Sequence, residues 1–104
     1  MTAKRWVVRP NAHREVDEAT DWYEDKRPGL GYALIEAYEI ALASVQAQPN
    51  DASPIPYVSN ELAIRRYFVS GFPYALIILE TPKLYKVIAF AHAARQPLYW
   101  FGRK

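Results

Sequence analysis

The spacing of apolar side chains predicts two helices in the first half of the chain. Between residues 30 and 45 they recur every three or four positions, the period of a helix with one buried face. The same spacing over residues 12–23 predicts an earlier helix, with Asn11 as its N-cap and Glu15 among the acids on its other faces. A break at residues 27–31, which contains one proline and two glycines, separates the two helices. The apolar positions of the earlier helix are Ala12, Val16, Ala19 and Tyr23.

Runs of β-branched and aromatic residues predict strands on both sides of this helical pair. A short first strand over residues 5–9 ends at Pro10. Three prolines between residues 49 and 56 predict an extended connection without regular structure after the second helix. Turns at residues 70–73 and 81–83 then divide the remainder into an antiparallel meander. Its strands are predicted over residues 62–69, 74–80 and 84–91.

The predicted order β-α-α-β-β-β indicates an α+β fold. In such a fold the N-terminal helical hairpin packs on one face of a small, mainly antiparallel twisted sheet. The 104 residues are close to the commonest domain size, so residues 1–104 are predicted to form a single domain.

Several classes of protein are excluded by what the sequence lacks. It has no cysteine and no spacing typical of metal ligands, so neither a metal nor a cofactor is expected. No apolar run approaches the roughly 20 residues of a membrane span, and the first residues do not resemble a signal peptide. We therefore expect a cytoplasmic protein that does not contact a membrane.

The net charge of +2 conceals an uneven distribution. Residues 28–64 contain no Lys or Arg and four acids, whereas residues 65–104 contain seven Lys or Arg and a single acid. A basic C-terminal third is typical of a surface that binds phosphate or an acidic partner. The alternative interpretation is a set of solvated strand edges, where lysine discourages aggregation.

Arg65 and Arg66 are the first candidates for a binding site. Consecutive strand residues point to opposite faces, so one arginine is expected towards the helices and the other on the open face. An exposed arginine there could bind phosphate or carboxylate. In the alternative interpretation one arginine pairs with an acid such as Glu61 or Glu80 and the other is only solvated.

The segment that follows the last strand contains the other candidates. His92 could act as a general acid or base, although an imidazole bonded to the backbone is the favoured interpretation. Arg95 is the better candidate for anion contact. Tyr99 and Trp100 could stack on a nucleobase, but a role in packing is favoured for Trp100.

These elements together resemble the RelE/ParE superfamily of type II toxin–antitoxin toxins. The resemblance extends over nearly the whole chain and rests on the order and spacing of short motifs. After the short first strand these are Trp22-Tyr23-Glu24, Pro28-Gly29-Leu30-Gly31, Ala41-Leu42-x-x-Val45-x-x-x-Pro49, Ile64-Arg65-Arg66-Tyr67, Phe72-Pro73-Tyr74 and His92-x-x-Arg95-x-Pro97-x-Tyr99-Trp100-x-x-Arg103.

The resemblance implies a small toxin of plasmid-stabilisation type that inhibits growth and is neutralised by a cognate antitoxin. RelE-like members cut mRNA in the ribosomal A site, whereas ParE-like members poison DNA gyrase. A nuclease would use its catalytic groups from the set Arg65, Arg66, His92, Arg95 and Tyr99. Contacts to a target or an antitoxin are expected from Arg65, Arg66, Arg95, Tyr99, Trp100 and Arg103.

One departure from the RelE-like pattern favours the ParE-like alternative. RelE-like nucleases carry lysines around their second strand, and residues 28–64 contain no lysine or arginine to match them. The sequence therefore favours a toxin that acts by binding gyrase, and not a toxin that is itself an enzyme. Two alternatives stay open, a ribosome-dependent mRNA endonuclease and a non-toxic or solitary binding module. A homodimer or a toxin–antitoxin hetero-oligomer is the expected assembly.

Overall fold

Two helices cover one face of an open five-stranded mixed sheet in the computed structural model, which describes residues 4–104. The sheet order is β1-β5-β4-β3-β2, with β1 parallel to β5 and the remaining pairs antiparallel. No helix in residues 4–104 has the length and apolar character needed to cross a membrane. The elements are β1 (Arg5–Val8), α1 (Pro10–Lys26), α2 (Leu30–Ala47), β2 (Ser53–Pro54), β3 (Ile64–Phe68), β4 (Tyr74–Glu80) and β5 (Leu84–His92).

Helix α1 begins two residues earlier than the sequence predicts. Arg9 is its N-cap and Pro10 its first residue, so the prediction of Asn11 as N-cap is wrong. The pyrrolidine ring presets a helical φ and lacks the N–H that the first turn would leave unpaired. Asn11 lies inside the helix instead, where its Oδ1 accepts a hydrogen bond of 2.8 Å from Arg14.

A close turn joins the two helices, as predicted, and the Glu24 carboxylate caps the start of α2. This carboxylate accepts hydrogen bonds from the backbone N–H of Gly29, at 3.1 Å, and of Gly31, at 3.0 Å. Helix N-termini expose unpaired N–H groups and attract negative charge, so an acid from α1 stabilises this end. Gly29 has a φ of +93°, a conformation that glycine adopts without strain.

Two apolar clusters lie on opposite faces of the sheet. The larger is the predicted interface between the helices and the sheet, and it includes Leu34, Val45 and Phe90. The smaller lies on the other face, where Trp100 packs against Ile77 and Ile88. The C-terminal segment therefore covers part of the sheet face that the helices leave open.

A β-bulge in β5 allows this strand to serve both clusters. Ile77 is opposite Ala89 and Ile78 is opposite Val87, so Ile88 is an extra residue. Ile88 and Ala89 consequently both belong to the smaller cluster. Val87 and Phe90, which flank them, both belong to the cluster beneath the helices.

The connection between α2 and β3 is more ordered than its prolines suggest. It was predicted to have no regular structure, but it contains 3₁₀ turns at Pro49–Asp51 and Asn60–Leu62 and the short strand β2. Pro49 begins the first turn, and Pro54 lies in an edge strand, where a missing N–H is tolerated. Because Ala63 has a positive φ of 54°, β3 begins at Ile64 rather than at residue 62.

Replacing Gly31 with alanine tests the tight packing of the helical hairpin. An added Cβ would lie 2.9 Å from the carbonyl oxygen of Thr20, and backbone atoms cannot easily move away. Such overpacking costs about 1–3 kcal/mol, and the better helix propensity of alanine returns at most about 1 kcal/mol. Urea unfolding should show a net loss of about 1–2 kcal/mol for Gly31→Ala.

The exposed Tyr32 beside it provides the control. Tyr32→Ala should change the free energy of unfolding by less than about 0.5 kcal/mol, because the side chain is mostly in solvent. Equal stability of Gly31→Ala and the wild type would show that the helices do not approach each other this closely.

Candidate functional site

A buried glutamate organises the C-terminal segment. Glu15 lies on the apolar face of α1 with Ala12, Val16 and Ala19, and it is only 8% exposed. The sequence pattern placed it on another face of the helix, and that prediction is wrong. A buried carboxylate is tolerated only when it is paired and hydrogen-bonded.

Five hydrogen bonds converge on the Glu15 carboxylate. Arg103 donates to both oxygens, at 2.9 and 3.4 Å, and the Tyr99 hydroxyl donates at 2.7 Å. Arg95 donates at 3.3 Å, and the Phe90 backbone N–H donates at 3.1 Å. We call Glu15, Arg95, Tyr99 and Arg103 the Glu15 cluster.

The Glu15 cluster also completes the backbone hydrogen bonding of β5. Strand β1 pairs with β5 only as far as Val87, so within residues 4–104 the rest of this edge has no neighbouring strand. Glu15 accepts from the N–H of Phe90, and Arg103 donates to the carbonyl oxygen of Ile88 at 3.0 Å. Buried backbone groups require such partners, so the cluster replaces the missing strand there.

Tyr99 is held in its neutral form. Burial and the hydrogen bond to Glu15 raise the pKa of the Tyr99 hydroxyl well above the usual range of tyrosine. The guanidinium carbon of Arg95 lies 3.9 Å from the centre of its ring, and that of Arg103 lies 5.2 Å away. Both arginines therefore interact with the ring as cation–π partners as well as with the carboxylate.

His92 adopts the structural arrangement that the sequence favoured. Its Nδ1 accepts a hydrogen bond of 2.9 Å from the N–H of Ala94, and its ring meets Tyr74 edge-on at 5.0 Å. Trp100 is 3% exposed and packs in the smaller cluster, which confirms its expected role in packing. A buried indole cannot stack on an incoming base.

Arg65 and Arg66 lie on opposite faces of the sheet, as predicted. Arg65 donates to the carbonyl oxygen of Ala52 at 3.3 Å. The guanidinium of Arg66 lies 4.9 Å from the centre of the Phe68 ring on the open face. Within residues 4–104 neither arginine forms an ion pair, so the alternative in which one of them pairs with Glu61 or Glu80 is wrong; Glu80 pairs with Lys4 instead.

Two clefts flank the Glu15 cluster. The first, of about 390 Å³, lies between α1 and the ends of β4 and β5 and includes Trp22 and Tyr74. The second, of about 410 Å³, lies on the open face of the sheet, and we call it the open-face groove. The lining of this groove includes Arg66, His92, Arg95 and Tyr99, but neither Arg65 nor Arg103.

Among the described residues no group of three or more acidic or histidine side chains could hold a metal ion.

The central residue of the site was missed because it is charged. Glu15 follows Ala12 by three positions and precedes Ala19 by four, so it occupies a position of the apolar stripe. A glutamate in that position indicates a buried carboxylate in need of cations. That signal was available in the sequence, but its partners, 75 to 88 positions away, were not.

Neutralising Glu15 should destabilise the fold strongly. Glu15→Gln keeps the shape of the side chain but leaves Arg103, whose side chain is only 19% exposed, without its anion. Breaking a buried pair in this way costs about 3 kcal/mol or more. Glu18→Gln, almost one turn further along the same helix, removes an exposed acid and should cost less than about 0.5 kcal/mol. Similar unfolding midpoints in urea for both variants would contradict the central role of Glu15.

Tyr99 should make the stability sensitive to alkaline pH. Its folded-state pKa is raised, so its contribution is complete below the unfolded value of about 10 and is lost as the pH rises above it. Tyr99→Phe removes this dependence. The stability difference between wild type and Tyr99→Phe should be constant from pH 7 to 9 and should shrink by pH 11, as measured by urea unfolding.

The exposed Tyr32 again provides the matched control. The difference between wild type and Tyr32→Phe should not depend on pH in this way. A Tyr99→Phe difference that stays constant up to pH 11 would show that the hydroxyl is not held by Glu15.

Comparison with known proteins identifies the fold. The chain matches no protein-family model and no curated protein at the level of sequence. Its structure is similar to a chain of the solved structure described as "Chromosomal ParDE TA system from P. aeruginosa", with a TM-score of 0.72. The similarity covers 86% of this chain and 95% of the other at 12% sequence identity. The predicted α+β fold, with a helical hairpin on one face of the sheet, is thereby confirmed, and the chain shares this fold with that ParDE chain.

Proposed function

We propose that this protein is the toxin of a type II toxin–antitoxin system and acts by binding DNA gyrase in the cytoplasm. In this proposal a cognate antitoxin neutralises it by forming a hetero-oligomer. The structural similarity to a ParDE system supports the class of protein, together with the motifs that resemble RelE/ParE toxins. The choice of gyrase rests on the state of the candidate catalytic groups.

The observation that carries this choice is the Glu15 cluster. Cleavage of RNA through its 2′-hydroxyl requires a base, an acid and cations beside the phosphorus. Arg95 and Arg103 instead face a carboxylate, and the Tyr99 hydroxyl donates a hydrogen bond to that same group. A tyrosine with a raised pKa is poorly suited to remove a proton near neutral pH. These groups therefore support a binding surface better than a nuclease.

A specific observation supports ribosome-dependent mRNA cleavage as the second candidate. Four of the five candidate catalytic residues line the open-face groove, namely Arg66, His92, Arg95 and Tyr99. The side chain of Arg95 is 55% exposed, so in this alternative a bound mRNA draws it away from Glu15. The fifth candidate, Arg65, faces the other side of the sheet and could not join them.

Two assays on the purified protein separate these activities. We expect inhibition of supercoiling by DNA gyrase and no cleavage of mRNA on programmed ribosomes. Cleavage that is abolished by Arg95→Ala and by Tyr99→Phe would establish the nuclease and refute the gyrase proposal. Both variants are compared with the wild-type protein, and thermal unfolding verifies that the compared proteins are folded.

Expression in bacteria tests the toxin class itself. Induction of the chain alone should arrest growth, and co-expression of the protein encoded beside it should restore growth. Unimpaired growth with a folded, abundant protein would instead support the third alternative, a non-toxic binding module.

A further inference from the structure

The open-face groove contains small side chains at the end of the sheet where β3 and β5 finish and β4 begins. Phe68 is directly opposite Ala75 in the β3–β4 pair, and Ala75 is opposite Ala91 in the β4–β5 pair. Two alanines beside a phenylalanine leave a depression in the sheet surface. The residues 55–57 and 96–100 also line it, so the groove lies between the α2–β3 connection and the C-terminal segment.

Arg66 provides the groove with a cation that forms no ion pair within residues 4–104. Its Nε is buried and has no hydrogen-bond partner among these residues. Leaving a buried donor unpaired costs free energy, and the cost is larger when the donor is charged. Arg95 is the other arginine in the lining, and Glu15 already compensates it. Among the described residues that line the groove none is an acid, so a carboxylate from outside would complete it.

Two aromatic side chains in the lining are left in solvent. Tyr57 is fully exposed, and its backbone has a φ of +67°, a conformation that is strained for a residue with a bulky side chain. Phe68 is 61% exposed on the neighbouring part of the groove. Strain retained at a residue that gains no burial is typical of a binding position, and aromatic residues dominate binding energy at interfaces.

We infer that the open-face groove binds a polypeptide segment in which a carboxylate side chain lies close to a bulky apolar one. The carboxylate pairs with Arg66 through a charge-assisted hydrogen bond to Nε. The apolar side chain fills the depression above Ala75 and Ala91, beside Phe68 and Tyr57. The inference specifies the chemistry of a partner segment. It rests on the proposed function only where it assigns that segment to the antitoxin.

The composition of the groove favours a polypeptide over a nucleic acid. Single-stranded RNA requires cations along its phosphates as well as rings for its bases. Here Arg66 is the uncompensated cation, and most of the lining residues are apolar, among them Ile55, Phe72 and Leu98. A single charge-pairing position within apolar surroundings matches an acidic and hydrophobic peptide.

Selection from a random peptide library displayed on phage tests the inference with the whole purified protein. We expect the enriched peptides to contain Asp or Glu next to a large apolar residue. One enriched peptide, labelled for fluorescence anisotropy, should bind Arg66→Met at least about tenfold more weakly than wild type. Replacing its acid by the corresponding amide should weaken binding to wild type by a similar factor and have little effect on Arg66→Met.

The adjacent arginine is the matched control. Arg65→Met removes the same charge from the same strand, but on the face covered by the helices. Peptide binding to Arg65→Met should match that of wild type. Equal weakening by the two substitutions would mean that only net charge matters and would overturn the inference.

Tyr57→Gly separates binding from folding. Glycine adopts a positive φ without strain, so the free energy of unfolding should not decrease, yet binding of the selected peptide should weaken severalfold. Failure to enrich acidic peptides would overturn the inference. So would binding of a labelled single-stranded RNA that Arg66→Met abolishes. The peptide assay does not involve growth or gyrase, so loss of the proposed function and loss of this inference give different results.

Discussion

The Glu15 carboxylate is the interaction on which the rest of the structure depends. It joins α1, the uncovered edge of β5 and the C-terminal segment through five hydrogen bonds. Removing an ion from water costs several kcal/mol, so the burial is favourable only when its partners are all in place. The cluster therefore fixes the position of the segment that covers the second sheet face with Trp100.

The same interaction determines which cations face a partner. Arg95 and Arg103 lie in the basic third of the chain, and the sequence suggests that both could bind an anionic target. In the fold they bind an internal acid. Arg66, on the open face, forms no ion pair with any residue that the structure describes. Regional charge is thus a poor guide to a binding surface, because it does not show which charges the fold has already paired.

Local patterns predicted the elements well, and long-range pairing explains what they missed. Periodicity and turn residues alone predict three features: the break between the helices, the bounds of β4, and the placement of Arg65 and Arg66 on opposite faces of the sheet. The burial of Glu15 depends on residues at least 75 positions away, which no local window contains. Strand β2 is similar, because its two residues are ordered by pairing with Arg65 and Arg66 rather than by their own propensity.

The position of Arg103 determines when the protein can finish folding during its synthesis. Synthesis delivers α1 first, while the cations that neutralise its buried acid come from residues 95 and 103. A nascent chain that does not yet contain these residues has a helix with an unpaired acid on its apolar face. Its smaller apolar cluster also lacks Trp100. Residues 4–104 therefore cannot complete folding while translation is still in progress within them. An incompletely translated chain would consequently lack the groove wall formed by residues 96–100, along with any activity that depends on it.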